Sequence, residues 1–288
     1  MARAMAAVRE STHDPTALGR RFKELIRSGQ VVLGGTVFEI LRTTVVKLYR
    51  QAGFQFIFAD NEHILMSGRP AMADFVLSAR DNGLAVIAKV PEQGRTETAR
   101  LLEAGVVGIQ LPRTESRQDL EQLIDYMKFP PLGTRAAAPI YGNVDYMAPS
   151  DARKWIKDAN DSTVVVAHIE TRKGFEQFDQ IVTTPHLDMV YVGPYDFSIA
   201  MGQAGDIDHP DVRGPMEQIL AKCVQHDIPF GTTTTNVQSA ARWIARGARF
   251  FEVIDELSLI AKGAADTVDQ YRIAIQTVQA VKQHLAAS

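Results

Sequence analysis

QAGFQFIFADNEH, residues 51–63, holds one complete joint of the architecture. The segment enters as the end of a helix and turns at Gly53, which tolerates the left-handed cap that other residues resist. It continues as FQFIFA, an almost unbroken apolar run, until Asp60 stops it and Asn61, Glu62 and His63 follow as a polar block. The same joint recurs in DNGLAV (81–86), EAGVVG (103–108) and ARGARF (245–250), at Gly83, Gly105 and Gly247. Apolar runs stand near 31–36, 54–60, 85–89, 107–111, 163–169, 189–193, 228–232 and 250–254, with helical periodicity in most of the gaps. Runs of Val, Ile and Leu without polar alternation indicate strands buried on both faces, as in a parallel sheet covered by helices. Eight such units in 288 residues favour a closed α/β barrel, the (β/α)8 TIM barrel, over an open doubly wound sheet. No Gly-x-Gly-x-x-Gly follows the first strand to support a dinucleotide fold.

A single domain over 1–288 is expected, with an N-terminal extension and helix (1–29), the barrel (30–263) and a C-terminal helix (264–288). Residues 15–28 carry an apolar stripe of Leu18, Phe22, Leu25 and Ile26, with Pro15 tolerable in a first turn, and read as a lid or outer helix. Residues 265–286 carry Val268, Tyr271, Ile275, Val278, Val281 and Leu285 on one side, suited to packing on the barrel or on another subunit. Residues 129–150 contain four prolines and two glycines, too long for an ordinary connection, and read as a functional loop. A net charge of −3 with dispersed Lys and Arg provides no basic stripe for nucleic acid, so small-molecule partners are expected. The single cysteine, Cys223, suits a reducing, cytoplasmic setting and excludes a Cys-based zinc cage. No stretch approaches the ~18 apolar residues of a membrane span, and MARAMAAVRESTHD breaks its alanines with charges where a signal peptide would be apolar.

Five of the apolar runs stop at polar groups: Asp60, Lys89, Gln110, Glu170 and, through Gly193-Pro194-Tyr195, Asp196. The C-terminal ends of barrel strands converge on one mouth, so these residues are expected to share a pocket. Glu170 and Asp196 offer hard oxygen ligands to Mg²⁺ or Mn²⁺ with open coordination positions. Their structural alternative is helix capping or pairing with Arg172 or Lys173. His168 projects to the same side as Glu170, either toward substrate or as a hydrogen-bonded barrel histidine. His63 is the expected general base, tuned by Asp60 or Glu62. Lys89 needs an anionic partner in its apolar surroundings, either a carboxylate or a developing enolate, or else serves as a Schiff-base nucleophile; the carboxylate pair favours metal. Gly193 to Asp196 reads as a tight turn whose backbone N–H groups could seat a substrate carboxylate. Thr232 to Thr235 either line the mouth or are solvated, and His13, His186, His209, His226 and His284 carry no assigned role.

With these residues in place the chain resembles the HpcH/HpaI aldolase family from about Gly34 to Ala261. These are class II, metal-dependent pyruvate aldolases that include 4-hydroxy-2-oxoheptanedioate aldolase. The markers are D-N-E-H at 60–63, L-L-E-A-G at 101–105, P-P-L-G-T-R at 130–135, H-I-E-T at 168–171 and V-G-P-Y-D-F-S at 192–198. The resemblance implies that Glu170 and Asp196 hold Mg²⁺ or Mn²⁺, with Co²⁺ a further option, chelated by pyruvate. It implies that backbone near Gly193 and Tyr195 holds the carboxylate, and that His63 acts as acid and base through a water on the metal. An acidic residue that makes His63 more basic has its place taken by Glu103. It also implies a hexameric trimer of dimers with exchanged C-terminal helices. Three residues depart from the family pattern: Lys89 stands for an arginine that stabilises the enolate, His168 for a glutamine, and Glu103 for the commoner Asp. The reading is a metal-dependent carbon–carbon lyase acting on a 2-oxo acid and an aldehyde through a pyruvate-like enolate, with a different donor or bulkier enolate. The alternatives are a decarboxylase of a 2-oxo diacid such as oxaloacetate, and a silent oligomer that only binds oxo acids.

Overall fold

Parallel pairing joins each strand to the next in sequence, and β1 (Val32–Val37) also pairs with β8 (Phe250–Asp255), so the sheet closes into a barrel. Between them run β2 (Phe56–Asp60), β3 (Ala85–Lys89), β4 (Gly108–Leu111), β5 (Val164–Ile169), β6 (Met189–Val192) and β7 (Phe230–Thr232). The structure, a computed structural model, describes residues 14, 16–63, 69–234 and 236–287; His13, Pro15 and Thr235 lie outside them. The helices are α1 (Ala17–Arg27), α2 (Thr43–Ala52), α3 (Arg69–Asp81), α4 (Arg95–Ala104), α5 (Arg117–Met127), α6 (Ala152–Ser162), α7 (Arg172–Glu176), α8 (Phe178–Ile181), α9 (Pro194–Ala200), α10 (Pro210–Gln225), α11 (Val237–Arg246) and α12 (Glu256–Ala287). Gly53, Gly83, Gly105 and Gly247 all take positive φ where a helix turns into a strand. Among the described residues no helix is long and apolar enough to cross a membrane.

Side chains of Phe56, Phe58, Ile87, Val164, Val166, Met189 and Phe250 fill the barrel's lumen. Phe56 and Phe250 stack at 4.1 Å, and Gly34 is required beside them because a Cβ there would come within 2.1 Å of the Phe56 ring. The stripe of α1 seals the floor of this lumen, instead of forming a lid or lying on the outer ring. Phe22 sits 5.8 Å from Phe56 and 6.3 Å from Phe250, and such a buried aromatic contributes about 1.5–3 kcal/mol. Lys23 and Arg27 both reach Asp188 Oδ1 at 3.0 Å, which locks the plug against the start of β6.

Residues 129–150 follow α5 and lie at the floor, opposite the mouth. Arg80, at the floor end of α3, donates to the Gly142 carbonyl at 2.8 Å and pairs with Asp145. The last helix also differs from expectation, because β8 runs directly into α12 at Glu256, well before residue 264. Glu256 accepts backbone N–H groups of Phe38, Glu39 and Ile40 at 2.7–3.1 Å, and beyond it the helix leaves the barrel. Its stripe is exposed, Tyr271 at 71% and Val278 at 54%, and so are Leu33 and Val253 on the outer faces of β1 and β8, each at 40%.

Candidate active site

The polar residues that end the strands converge on the mouth, as their spacing predicts. Asp60, Lys89, Glu170 and Asp196 line two adjoining cavities of about 330 and 280 Å³ that share His63, Lys89 and Asp196, while Gln110 is buried against His168. Asp60 anchors the D-N-E-H block: its Oδ1 accepts the backbone N–H groups of Glu62 and His63, both at 2.8 Å, while Oδ2 lies 3.0 Å from His63 Nδ1. That contact occupies Nδ1 and leaves Nε2 as the other nitrogen of an imidazole whose side chain is 61% exposed. Lys89, buried at the end of β3, finds its anionic partner in Glu62, with Nζ to Oε2 at 2.5 Å. Burial alone would lower its pKa, but Glu170, Glu62 and Asp60 outweigh that and raise it. An ammonium so enclosed suits a fixed positive charge, whereas a Schiff base requires a neutral amine.

Glu170 is buried, and its Oε1 accepts the Arg113 backbone N–H at 2.7 Å. Arg113 adopts φ +48 to aim that N–H, a conformation uncommon outside glycine. Glu170 Oε2 is buried without a hydrogen bond, although His168 Nε2 stands 3.1 Å away at an unsuitable angle. Arg172 and Lys173 do not neutralise it, and Lys173 pairs instead with Glu115 at 3.2 Å. Burial raises the Glu170 pKa, opposed by Lys89 and the Arg113 N–H and reinforced by Asp196 and Glu62. Asp196 lies in the first turn of α9, so Gly193-Pro194 begins a helix where a tight turn was expected. One orphaned carboxylate oxygen facing a second carboxylate across an open cavity fits a hard divalent cation that keeps several small-molecule ligands. Among the described residues no group of three or more His, Cys, Asp or Glu forms a closed cage.

His168 packs so tightly on Gly193 that a Cβ there would come within 2.3 Å of Nε2. Gln110 Nε2 contacts His168 Nδ1 at 3.2 Å, and burial, with Lys89 and His63 nearby, holds the imidazole well below the usual histidine range and therefore neutral. Tyr195 is 64% exposed at the cavity's edge. Within one chain Glu103 lies away from His63. It sits at the C-terminal end of α4, which in a βα barrel is the floor end, and its pKa is raised by burial and opposed by Arg135 and Arg100. The acid beside His63 is Asp60.

Two residues of the mouth are not singled out by the sequence, Glu252 and Tyr191, while Thr233 lines it as one of the two alternatives for the threonine run allows. Glu252 points inward from β8 at 6% exposure, and Tyr191 shares a 2.5 Å hydrogen bond with Thr233. The available signal was the carboxylate inside the run FFEVID, two positions after lumen-facing Phe250. Thr232 instead donates to the Val192 carbonyl at 3.0 Å and is structural. Burial pushes Glu252 up to about 8 from 4.5, against the pull of Tyr191 and Lys89. Between those two values the unfolded chain has lost a proton that the folded chain retains, so stability falls as pH rises from about 4.5 to about 8 and is level above. Thermal unfolding across that window is expected to show a steeper decline in the native chain than in Glu252→Gln. The variant gains roughly 3–5 kcal/mol near pH 8 on this accounting, and an unchanged pH slope removes it.

Residues 45–261 match the HpcH/HpaI aldolase/citrate lyase family. A 5-keto-4-deoxy-D-glucarate aldolase of Shigella dysenteriae is 26% identical over 260 residues, 88% of this chain and 96% of that protein. The HpcH/HpaI aldolase of Desulfitobacterium hafniense superposes with TM-score 0.82 at 24% identity, covering 87% of this chain and 96% of that one. CitE of Mycobacterium tuberculosis, solved with magnesium and acetoacetate, superposes at TM-score 0.53 and 16% identity, over 81% and 88% of the two chains.

Proposed function

The chain belongs to the HpcH/HpaI aldolase/citrate lyase family, and from that premise we propose that this carbon–carbon lyase cleaves 4-hydroxy-2-oxo acids to pyruvate and an aldehyde. One observation carries the reading: the orphaned Glu170 oxygen, Asp196, Lys89 and His63 border one cavity. Glu170 and Asp196 are the proposed ligands of Mg²⁺ or Mn²⁺, a pairing supported by the oxygen-only donor set and by magnesium in the CitE structure. The bound ion supplies Lewis-acid polarisation of the 2-oxo group.

The remaining work belongs to side chains. Asp60 holds His63 Nδ1, leaving Nε2 to take the proton from the C4 hydroxyl. As that oxygen becomes the aldehyde carbonyl, the C3–C4 bond breaks and its electron pair enters the enolate, whose oxygen faces the Lys89 ammonium. His63 then returns the proton to C3, giving pyruvate. Backbone from Gly193 to Asp196 and the His168 ring border the oxo acid, and neutral His168 adds no charge to compete with Lys89.

Purified chain incubated with a 4-hydroxy-2-oxo acid is expected to release pyruvate and aldehyde in equal amounts, to stop after chelator dialysis, and to recover with Mg²⁺ or Mn²⁺. Activity that survives chelation ends the metal assignment, and carbon dioxide without aldehyde identifies a decarboxylase. We further propose that the α12 stripe covers the bare β1 and β8 face of another copy within a hexamer, for which sedimentation of the same sample should return six chain masses. A monomer refutes the exchange.

A further inference from the structure

We propose that Glu252 is a specificity-determining residue that hydrogen-bonds a hydroxyl on the aldehyde half of the substrate and disfavours aldehydes ending in a carboxylate. This rests on the lyase reading and deepens it by assigning the second cavity. Glu252 Oε1 is buried without a hydrogen-bond partner, and its residue lines the 280 Å³ cavity on the side away from Glu170. A buried carboxyl oxygen left unmatched at a cavity wall is a place for a ligand's polar group. Tyr191 and Thr233, joined at 2.5 Å, line the same wall and add hydroxyls, while Phe38, Phe58 and Ile254 supply its apolar part.

The charge pattern decides which ligand suits it. The cation among this cavity's lining residues, Lys89, stands at the edge shared with the cavity that holds Glu170. Past it the lining acids are Glu252 and Asp255, and Asp255 is already engaged by the backbone and hydroxyl of Ser258 at 2.8 and 2.7 Å. A second carboxylate placed there gains no counter-ion and crowds Glu252. A neutral hydroxyl satisfies the free oxygen, and a site built to pair a hydroxyl rejects a ligand lacking it more strongly than an apolar pocket can.

The test measures aldol addition of pyruvate to glycolaldehyde and to glyoxylate, in the presence of Mg²⁺, for the native chain, Glu252→Gln and Glu252→Leu. Exchange of pyruvate methyl protons with D₂O reports the shared enolate step. The native chain is expected to favour glycolaldehyde, and Glu252→Leu to shift the kcat/KM ratio toward glyoxylate by about tenfold or more while proton exchange remains near native. Glu252→Gln, which keeps a hydrogen-bonding group and cannot ionise, is expected to retain most glycolaldehyde activity and, assayed above pH 8, to gain on glyoxylate. A merely structural Glu252 would change both aldehydes equally, so ratios within about twofold of native in both variants, with exchange intact, overturn the proposal. If Glu252→Leu does not fold, the Gln variant alone decides by whether its ratio moves. A native chain that neither exchanges protons nor adds aldehydes removes the lyase reading, and this inference with it.

Discussion

Glu170→Gln is expected to lower kcat/KM for pyruvate release by about 10³-fold or more while leaving the fold intact. The loss follows from the donor atoms. Glu170 Oε1 is committed to the Arg113 N–H at 2.7 Å, so Oε2 is the oxygen available to a cation. An amide at that position offers either a neutral carbonyl or an NH₂ group, and neither replaces a carboxylate charge. Losing several kcal/mol of charge stabilisation in the transition state corresponds to that factor. The fold should tolerate the change because burial already raises the Glu170 pKa, and the neutral amide avoids desolvating a charge. Calorimetric titration with Mn²⁺ provides the second measurement, since affinity should fall in step with activity. Native Mn²⁺ affinity in Glu170→Gln means that the ion is held elsewhere.

The parts of this site that could be read from the chain are those in which position along a strand dictates direction. Asp60, Lys89 and Glu170 each close an apolar run, and a strand's two-residue alternation then points them at the mouth. Asp60 and His63 are three residues apart, so their pairing is local. Other features depend on relations that pattern alone does not encode. The stripe of α1 is the same whether it covers a mouth or plugs a floor; Phe22 shows its place only by its packing on Phe56 and Phe250. The α12 stripe likewise looks identical whether it covers its own barrel or another. Motif position ties Glu103 to His63, whereas within one chain helix direction puts the end of α4 at the opposite face. Glu252 stands inside the run FFEVID and not at its end, so a search for polar groups that close apolar runs passes over it.

Lys89→Met is expected to lower kcat by roughly 10²–10³-fold, the usual effect of removing one preorganised group that faces a developing oxyanion. Methionine approximates the stem, so packing in the apolar stretch of β3 survives while the ammonium is lost. Glu62 then has no cation at 2.5 Å, and the negative charge of Glu62, Asp60 and Glu170 opposes the enolate instead of being balanced. The penalty should therefore appear in pyruvate methyl-proton exchange as well as in cleavage, and more in kcat than in KM. Lys89→Arg distinguishes charge from shape. Guanidinium restores the positive charge, but its planar fork must find room between Glu62 and the cavity, where a compact ammonium now sits. We expect it to raise the exchange rate about tenfold or more above that of Lys89→Met yet remain about tenfold below native. An arginine variant faster than the native chain would mean that lysine is a compromised substitute at this position, and a methionine variant with native exchange would mean that the enolate charge is carried without Lys89.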